Sequence, residues 1–509
     1  MAPPYPPTPV GVPADLAVPS PRYRRHVWTA AFALFAFVGL YAGTIVWLVR
    51  LVWRMASSVG SDKTVLAIGV IAPSLFLLAF LVKGLFFVRR GDIGAATEIT
   101  PEEEPELFAF ITRVADEVGA PRPHRVFLTP DVNASVFYDL SLRSLVFPSK
   151  KNLNIGLGLV NVLTLDEFKA VLAHEFGHFA QRSMALGTWV YVSGQVIGAI
   201  VGRRDGFDTF IRGLSRFDLR VAWVGWGLGL LVWAMRAVFD SAYRLLLLVD
   251  RALSREMEFQ ADLVAVSITG SDSLIHALRR LGPADQALNR AYDFATEEGR
   301  AGRPIADVYR AQSEILGHLR RVDHDPLLGA VPEVPKRGAE AHRVFSPDIA
   351  EAPRMWSTHP PNHEREAEAK RRYVPSTLDA RSAWTVFRNP AALASRVTRS
   401  LYEKNMPALA AVASPDAEVT REALTRAWTR PALATELMGV YTDRSPVLWA
   451  REAAALADKP PSDREEVLAR LDALYPRSLV TTNQERRAAE SQVVSSMPSP
   501  RACSRPPAA

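Results

Sequence analysis

Two histidines and a glutamate lie within five residues of one another in the segment VLAHEFGHFAQ, as His174, Glu175 and His178. Residues four positions apart lie on one face of an α-helix, so both imidazoles point the same way. Two neutral imidazoles one turn apart can bind a zinc ion at about 2.0–2.1 Å per bond. Glu175 can then take a proton from a water molecule beside them, as in the H-E-x-x-H motif. A chance match among exposed residues is the alternative.

A catalytic zinc site needs a third protein ligand and one open position. The later segment EMEFQAD offers Glu258, with Asp262 one helical turn further on. We expect Glu258 to bind the metal and Asp262 to accept a hydrogen bond from a ligand imidazole. Glu256 is the competing ligand, but it has no acidic partner four residues later. On its own this segment can also be read as a solvated charged helix face.

Long apolar blocks surround these motifs. Residues 27–49 and 64–82 are free of charged side chains. Each run is long enough to cross a hydrocarbon layer of about 30 Å as a helix. The motif HEFGH is followed by two further blocks, at 183–202 and 221–249, which either span the membrane or form a buried hairpin.

The position of the later blocks constrains the chain path, because they separate His178 from Glu258. One ion can bind both residues only if both ends of the segment 183–249 lie at the same membrane face. This segment must therefore form a hairpin of two antiparallel helices. Three charges in the second block, Arg236, Asp240 and Arg244, should then face protein or the interface, since a charge in hydrocarbon costs several kcal/mol.

Composition excludes several classes of function. The net charge is +6, but no basic run with interleaved aromatic residues favours nucleic acid. The single cysteine, Cys503, excludes an intrachain disulfide and a thiolate zinc cluster. Hydrophobic residues make up 48% and charged residues 22%, which is typical of apolar blocks set among polar ones.

Local patterns predict the elements around the motif. Thr164 and Glu167 have the spacing of a capping box, so the motif helix should begin there. An earlier helix is indicated by apolar residues at helical spacing from Leu107 to Val114. Three short runs, RVFLT, ASVFYD and SLVFPS, have the composition of strands.

The segments VLAHEFGHFAQ, EMEFQAD and STHPPNHERE, with two apolar blocks between the first two, resemble the HtpX-like family of integral-membrane zinc metallopeptidases, relatives of the CAAX prenyl proteases. The resemblance covers residues 90–270 and 357–366. It implies one zinc ion per chain, held by His174, His178 and Glu258, with Glu175 as the catalytic base and Asp262 beside the ligands.

The same resemblance extends to four further residues. His359 matches a catalytic histidine of the family, and Arg365 matches a substrate-binding arginine. Asn133 and Ala134 match the start of the strand that binds substrate, although the rest of NASVF departs from the family pattern. That departure concerns substrate preference rather than the zinc chemistry.

The fold class expected from these features is a mainly α, α+β membrane protein, with a gluzincin-like zinc peptidase domain, about four transmembrane helices and a helical C-terminal region. The expected organisation is a disordered proline-rich lead at 1–26, a transmembrane hairpin at 27–90, the peptidase domain at 91–375, a helical region at 376–481 and a disordered tail at 482–509.

The expected function is membrane-bound, zinc-dependent hydrolysis of peptide bonds in membrane-protein quality control. The expected partners are polypeptide substrates, among them membrane proteins, and the lipid bilayer, with no nucleic acid. The expected location is the bacterial inner membrane, multi-pass, with the active site on the cytoplasmic side. The alternatives are a CAAX-type prenyl-protein protease and a non-catalytic scaffold with a vestigial zinc site.

Overall fold

The computed structural model shows an apolar helical bundle joined to an α+β domain. It describes residues 4–57, 59–60, 64–85, 96–138, 151–180, 184–198, 209, 219–322, 325–345, 360–409 and 412–429. The helices are α1 (Pro21–Ala56), α2 (Thr64–Leu85), α3 (Pro105–Val118), α4 (Leu157–Val160), α5 (Leu165–Ala180), α6 (Met184–Ile197), α7 (Leu219–Thr269), α8 (Ser271–Arg300), α9 (Val308–Val322), α10 (Asn362–Ala369), α11 (Pro390–Asn405) and α12 (Ala417–Thr429).

The bundle consists of α1, α2, α6 and the first part of α7, which share one apolar cluster separate from the core of the α+β domain. Within the described residues, α1 and α2 are the two helices that are long and apolar enough to cross a membrane. Helix α6 has 14 residues, or about 21 Å at 1.5 Å per residue, which is shorter than a hydrocarbon layer of about 30 Å. The expectation of four spans is therefore supported for two helices.

Helix α7 runs without a break from the second late apolar block to the EMEFQAD segment. Its apolar part carries large exposed side chains, such as Trp223 and Trp233 at 68% and 66%. The three charges in this part have protein partners. The Arg236 guanidinium lies 5.1 Å from the centre of the Phe80 ring, and Arg244 pairs with Asp240 at 2.7 Å.

A four-stranded sheet forms one side of the α+β domain, with strands β1 (Thr97–Ile99), β2 (Val126–Thr129), β3 (Ala134–Tyr138) and β4 (Lys151–Gly156) in the order β1-β2-β4-β3. The β2–β4 pair is parallel, and the other two pairs are antiparallel. Strand β3 is therefore the outer strand on its side of the described sheet. The run SLVFPS lies outside the described residues.

The predicted start of the motif helix is confirmed. Helix α5 begins at Leu165, and the backbone N–H of Thr164 donates to the Glu167 carboxylate at 2.9 Å. The predicted apolar face of α3, from Leu107 to Val114, is buried in the domain core. The described part of the expected C-terminal helical region contains α11 and α12, and residues 430–509 lie outside the described residues.

The N-terminal segment 4–20 differs from the disorder that its proline content led us to expect. The Tyr5 ring packs on Phe110 with 5.2 Å between ring centres, and Leu16 is buried in the core of the α+β domain. Fully buried Lys169 of α5 donates to the Thr8 hydroxyl at 3.2 Å. Proline-rich segments cannot build a core of their own, but this one adds its apolar side chains to an existing core.

Helix α1 also begins earlier than the apolar block predicts. Pro21 is the first helical residue, and the Ser20 hydroxyl accepts a hydrogen bond from the Tyr23 N–H at 3.0 Å. Serine as the N-cap followed by proline is a strong helix start, because proline lacks only an N–H that the first turn leaves unused. The polar residues ahead of the apolar block therefore belong to the helix.

Tyr5→Ala should destabilise the protein by about 1–3 kcal/mol, because it removes a ring packed against Phe110 and Lys169. The measurement is the thermal unfolding of purified full-length protein in detergent. Val10→Ala is the matched control in the same segment, since Val10 is 94% exposed. Equal melting temperatures for the two variants would contradict the packing role of Tyr5.

Candidate metal centre

The metal centre lies where α5 packs against α7. Gly177 is the point of closest approach: a Cβ atom built on it would lie 3.0 Å from the Ala261 Cα atom. A side chain at position 177 would push the helices apart. The glycine inside the HEFGH motif therefore lets the helix with two histidines approach the helix that carries Glu258.

Three side chains converge at this contact. The Nε2 atoms of His174 and His178 are 3.2 Å apart, and each lies 3.5 Å from a carboxylate oxygen of Glu258. A tetrahedral zinc ion with bonds of about 2.0–2.1 Å separates its ligand atoms by roughly 3.3 Å. Two imidazoles and one carboxylate are also a donor set that zinc prefers. The three residues therefore fit a metal ion as predicted.

A fully buried carboxylate orients the first histidine. Asp262 accepts a hydrogen bond from the Nδ1 atom of His174 at 2.9 Å, which leaves Nε2 to face the metal position. Burial alone would raise the pKa of Asp262, but Arg365 and His174 outweigh it and hold that pKa below its usual range. Arg365 donates to both Asp262 oxygens, at 2.6 and 2.9 Å.

The protonation of His174 is linked to the same contacts. Burial disfavours the imidazolium, but hydrogen bonds with Asp262 and Glu258 outweigh that cost and raise the pKa of His174 to about 10. A metal ion binds the unprotonated nitrogen, so metal and proton compete for this site.

The competing ligand, Glu256, is occupied elsewhere. Its carboxylate pairs with Arg22 of α1 at 2.7 Å. Because Glu256 and Glu258 are two positions apart on a helix, they do not share a face. The contact also holds the beginning of α1 next to the part of α7 that carries the metal ligand.

Four of the other predicted residues line a cleft of about 330 Å³ that also contains both histidines: Glu175, Arg365, Asn133 and Ala134. Ala134 begins the outer strand β3, and Asn133 directly precedes it. Gly156 holds this edge in place, since its N–H donates to the Asn133 carbonyl at 2.7 Å and any Cβ there would overlap that oxygen.

Arg365 and His359 differ from the other predicted residues in their positions. Arg365 borders the cleft but is only 7% exposed, with its guanidinium bound to Asp262, a partner that the sequence pattern did not predict. His359 lies outside the described residues. The sequence analysis also did not predict that apolar residues of α8 line the cleft. No pattern near the motif indicates that α8 packs beside it.

The fold and the candidate donor set have the features of a metallopeptidase: an H-E-x-x-H helix, a candidate glutamate ligand from a second helix and a sheet edge beside them. Comparison with known proteins gives the family. The family model described as "Peptidase family M48" matches residues 101–373. The chain therefore belongs to peptidase family M48, and its apolar helices make it a membrane metallopeptidase.

The chain is also similar to several curated proteins. A "Protease HtpX homolog" of Nostoc punctiforme is 27% identical over 303 residues, which are 58% of this chain and 90% of the relative. "Protease HtpX" of Shewanella denitrificans is 30% identical over 220 residues, 40% of this chain and 69% of the relative. A "Protease HtpX homolog" of Desulfatibacillum aliphaticivorans is 24% identical over 260 residues, 48% and 76% of the two chains. No solved structure matches the chain.

Glu258→Ala removes a candidate ligand atom, so the purified variant should hold much less zinc than the wild type. The loss of zinc affinity should exceed the roughly 10–100-fold that is typical when a hydrogen-bond partner of a metal ligand is removed. Glu256→Ala is the matched control and should keep zinc, since Glu256 pairs with Arg22 instead. Metal analysis of both purified variants checks this. A greater loss of zinc in Glu256→Ala than in Glu258→Ala would instead identify Glu256 as the third ligand.

Gly177→Ala should weaken zinc binding about tenfold, or about 1.4 kcal/mol, because the added methyl group separates α5 from α7. Competition with a zinc chelator measures the affinity. Gly317→Ala on α9 is the control, because a Cβ there meets nothing within 4 Å. Wild-type affinity in Gly177→Ala would show that the helix spacing does not set the ligand geometry.

Proposed function

We propose that this metallopeptidase is a zinc-dependent endopeptidase that cleaves polypeptides close to a membrane surface. The observation that carries the proposal is the joint placement of His174, His178 and Glu258, whose candidate ligand atoms lie within 4.8 Å of one another, with Glu175 and an outer β-strand around one cleft. A peptide can pair its backbone with β3, from Asn133 onward, as an added strand. This places a peptide bond between the strand edge and the metal ligands.

Each residue then has a defined task. Zinc, when bound, lowers the pKa of a water molecule towards about 7 and polarises a carbonyl group. Glu175 takes the proton from the attacking water and passes it to the leaving nitrogen. Asp262 fixes the tautomer of His174, and Arg365 holds Asp262 in place. His359, by its resemblance to the family pattern, is our candidate donor to the developing oxyanion.

The position of the site on α7 favours membrane-proximal substrates. Val249 ends the apolar part of α7, and Glu258 follows nine residues later, or about 14 Å along a helix. A cleft about 14 Å beyond the end of the apolar part of α7 can bind polypeptide segments that emerge from a bilayer. We therefore propose a role in membrane-protein quality control, at the cytoplasmic side of a bacterial inner membrane.

Glu175→Gln should keep zinc, because Glu175 is not a ligand, and should lower the cleavage rate by about 10²–10⁴-fold, because the general base is lost. The assay follows cleavage of unfolded casein by the full-length protein in detergent with zinc. Zinc content and melting temperature serve as controls and should equal those of the wild type.

The outcomes separate the alternatives. Casein cleavage that is abolished in Glu175→Gln supports the endopeptidase. Activity restricted to prenylated peptides would indicate a CAAX-type protease instead. A wild type that holds zinc but cleaves neither substrate would support the non-catalytic scaffold, and wild-type rates in Glu175→Gln would overturn the mechanism.

A further inference from the structure

One face of α8 lines the same cleft as β3. Leu274, Ala277, Leu278 and Leu281 border the cleft at positions i, i+3, i+4 and i+7, the spacing of a single helix face. Val171 of α5 extends this surface toward Glu175. We call these five residues the aliphatic wall.

Charge is absent from the aliphatic wall among the described lining residues. The ionisable groups that border the cleft are Glu175, Arg365 and the two imidazoles of the candidate metal site, and Arg365 is bound by Asp262. The next cation along α8 is also engaged, since Arg280 pairs with Glu167 at 2.8 Å. A charged side chain placed against the aliphatic wall would lose hydration without gaining a partner from the wall itself.

The wall and the general base share one cavity, so a peptide side chain against the wall belongs to a residue close to the bond that is cut. Side chains of a strand paired with β3 alternate in direction. With the wall on one face of that strand, one of the two residues that flank the cut bond projects toward it while its neighbour points to the other face. Burial of apolar surface then favours a large aliphatic side chain at that position, at about 25 cal/mol per Å².

We propose, on the basis of the endopeptidase function above, that the aliphatic wall selects substrates with leucine, isoleucine or methionine at one position flanking the cut bond. The substrate class is thus an extended polypeptide with an aliphatic residue at the cleavage site, which membrane-spanning and misfolded segments supply in abundance.

The first test uses the full-length zinc protein in detergent and a set of peptides built around one mapped cleavage site in casein. Each flanking position is varied through leucine, alanine, aspartate and lysine. At one of the two positions, kcat/KM should be about 100-fold higher for leucine than for aspartate or lysine. Equal kcat/KM values for these residues at both positions would overturn the proposal.

The second test changes the charge of the wall. Leu281 is only partly buried, so it should accept a polar side chain without loss of the fold. Leu281→Glu should raise the lysine-to-aspartate ratio of kcat/KM about tenfold at the selected position, and Leu281→Arg should lower it by a similar factor. Leu327→Glu and Leu327→Arg are the matched controls, because Leu327 is 63% exposed and borders no part of the cleft.

The outcomes distinguish this proposal from the endopeptidase function itself. Opposite shifts of selectivity in the two Leu281 variants support the aliphatic wall, because a general loss of structure would lower both peptide rates together. Equal losses in both variants would overturn it while wild-type cleavage still supports the endopeptidase. If the wild-type protein cleaved none of the peptides, both the endopeptidase function and the selectivity of the aliphatic wall would be contradicted.

Discussion

The close packing of two helices at Gly177 and Ala261 is the constraint on which the site depends. Helix axes usually lie 8–10 Å apart, and the separation is set by the side chains at the contact. Here a glycine on one helix meets an alanine on the other, so backbones approach closely. Residues 178 and 258, which are 80 positions apart in the chain, can thereby share one ion. A Cβ atom at position 177 would lie only 3.0 Å from the Ala261 Cα atom, so a larger residue at this contact would strain the approach of the two helices.

A buried ion pair holds the ligands at this contact in one orientation. Asp262 is fully buried, and a lone carboxylate there would carry a large desolvation cost. Arg365, 103 positions later, offsets that cost with two hydrogen bonds. The pair therefore ties α10 to α7 and fixes His174 at the same time. Removing either partner would leave an uncompensated buried charge, so the orientation of the metal ligand depends on a residue from a distant segment.

The site could be predicted from the sequence wherever it depends on residues near one another in the chain. The start of α5 at Leu165 and the shared face of His174 and His178 follow from spacing of three or four residues. The partner of Arg365 and the packing of Tyr5 could not be predicted in this way. They depend on surfaces that exist only after distant segments have folded together, and the proline-rich composition around Tyr5 favours disorder unless another core is available.

Helix α7 joins the membrane part of the protein to the chemistry without a hinge. Its apolar segment packs with α1 and α2, and its polar segment supplies Glu258 and Asp262. Each residue of a continuous helix adds about 1.5 Å along the axis, so the number of residues between two points fixes their separation. The Arg22–Glu256 pair braces the same region from α1. The separation of Glu258 from the end of the apolar segment, about 14 Å along the helix axis, is therefore set by one helix.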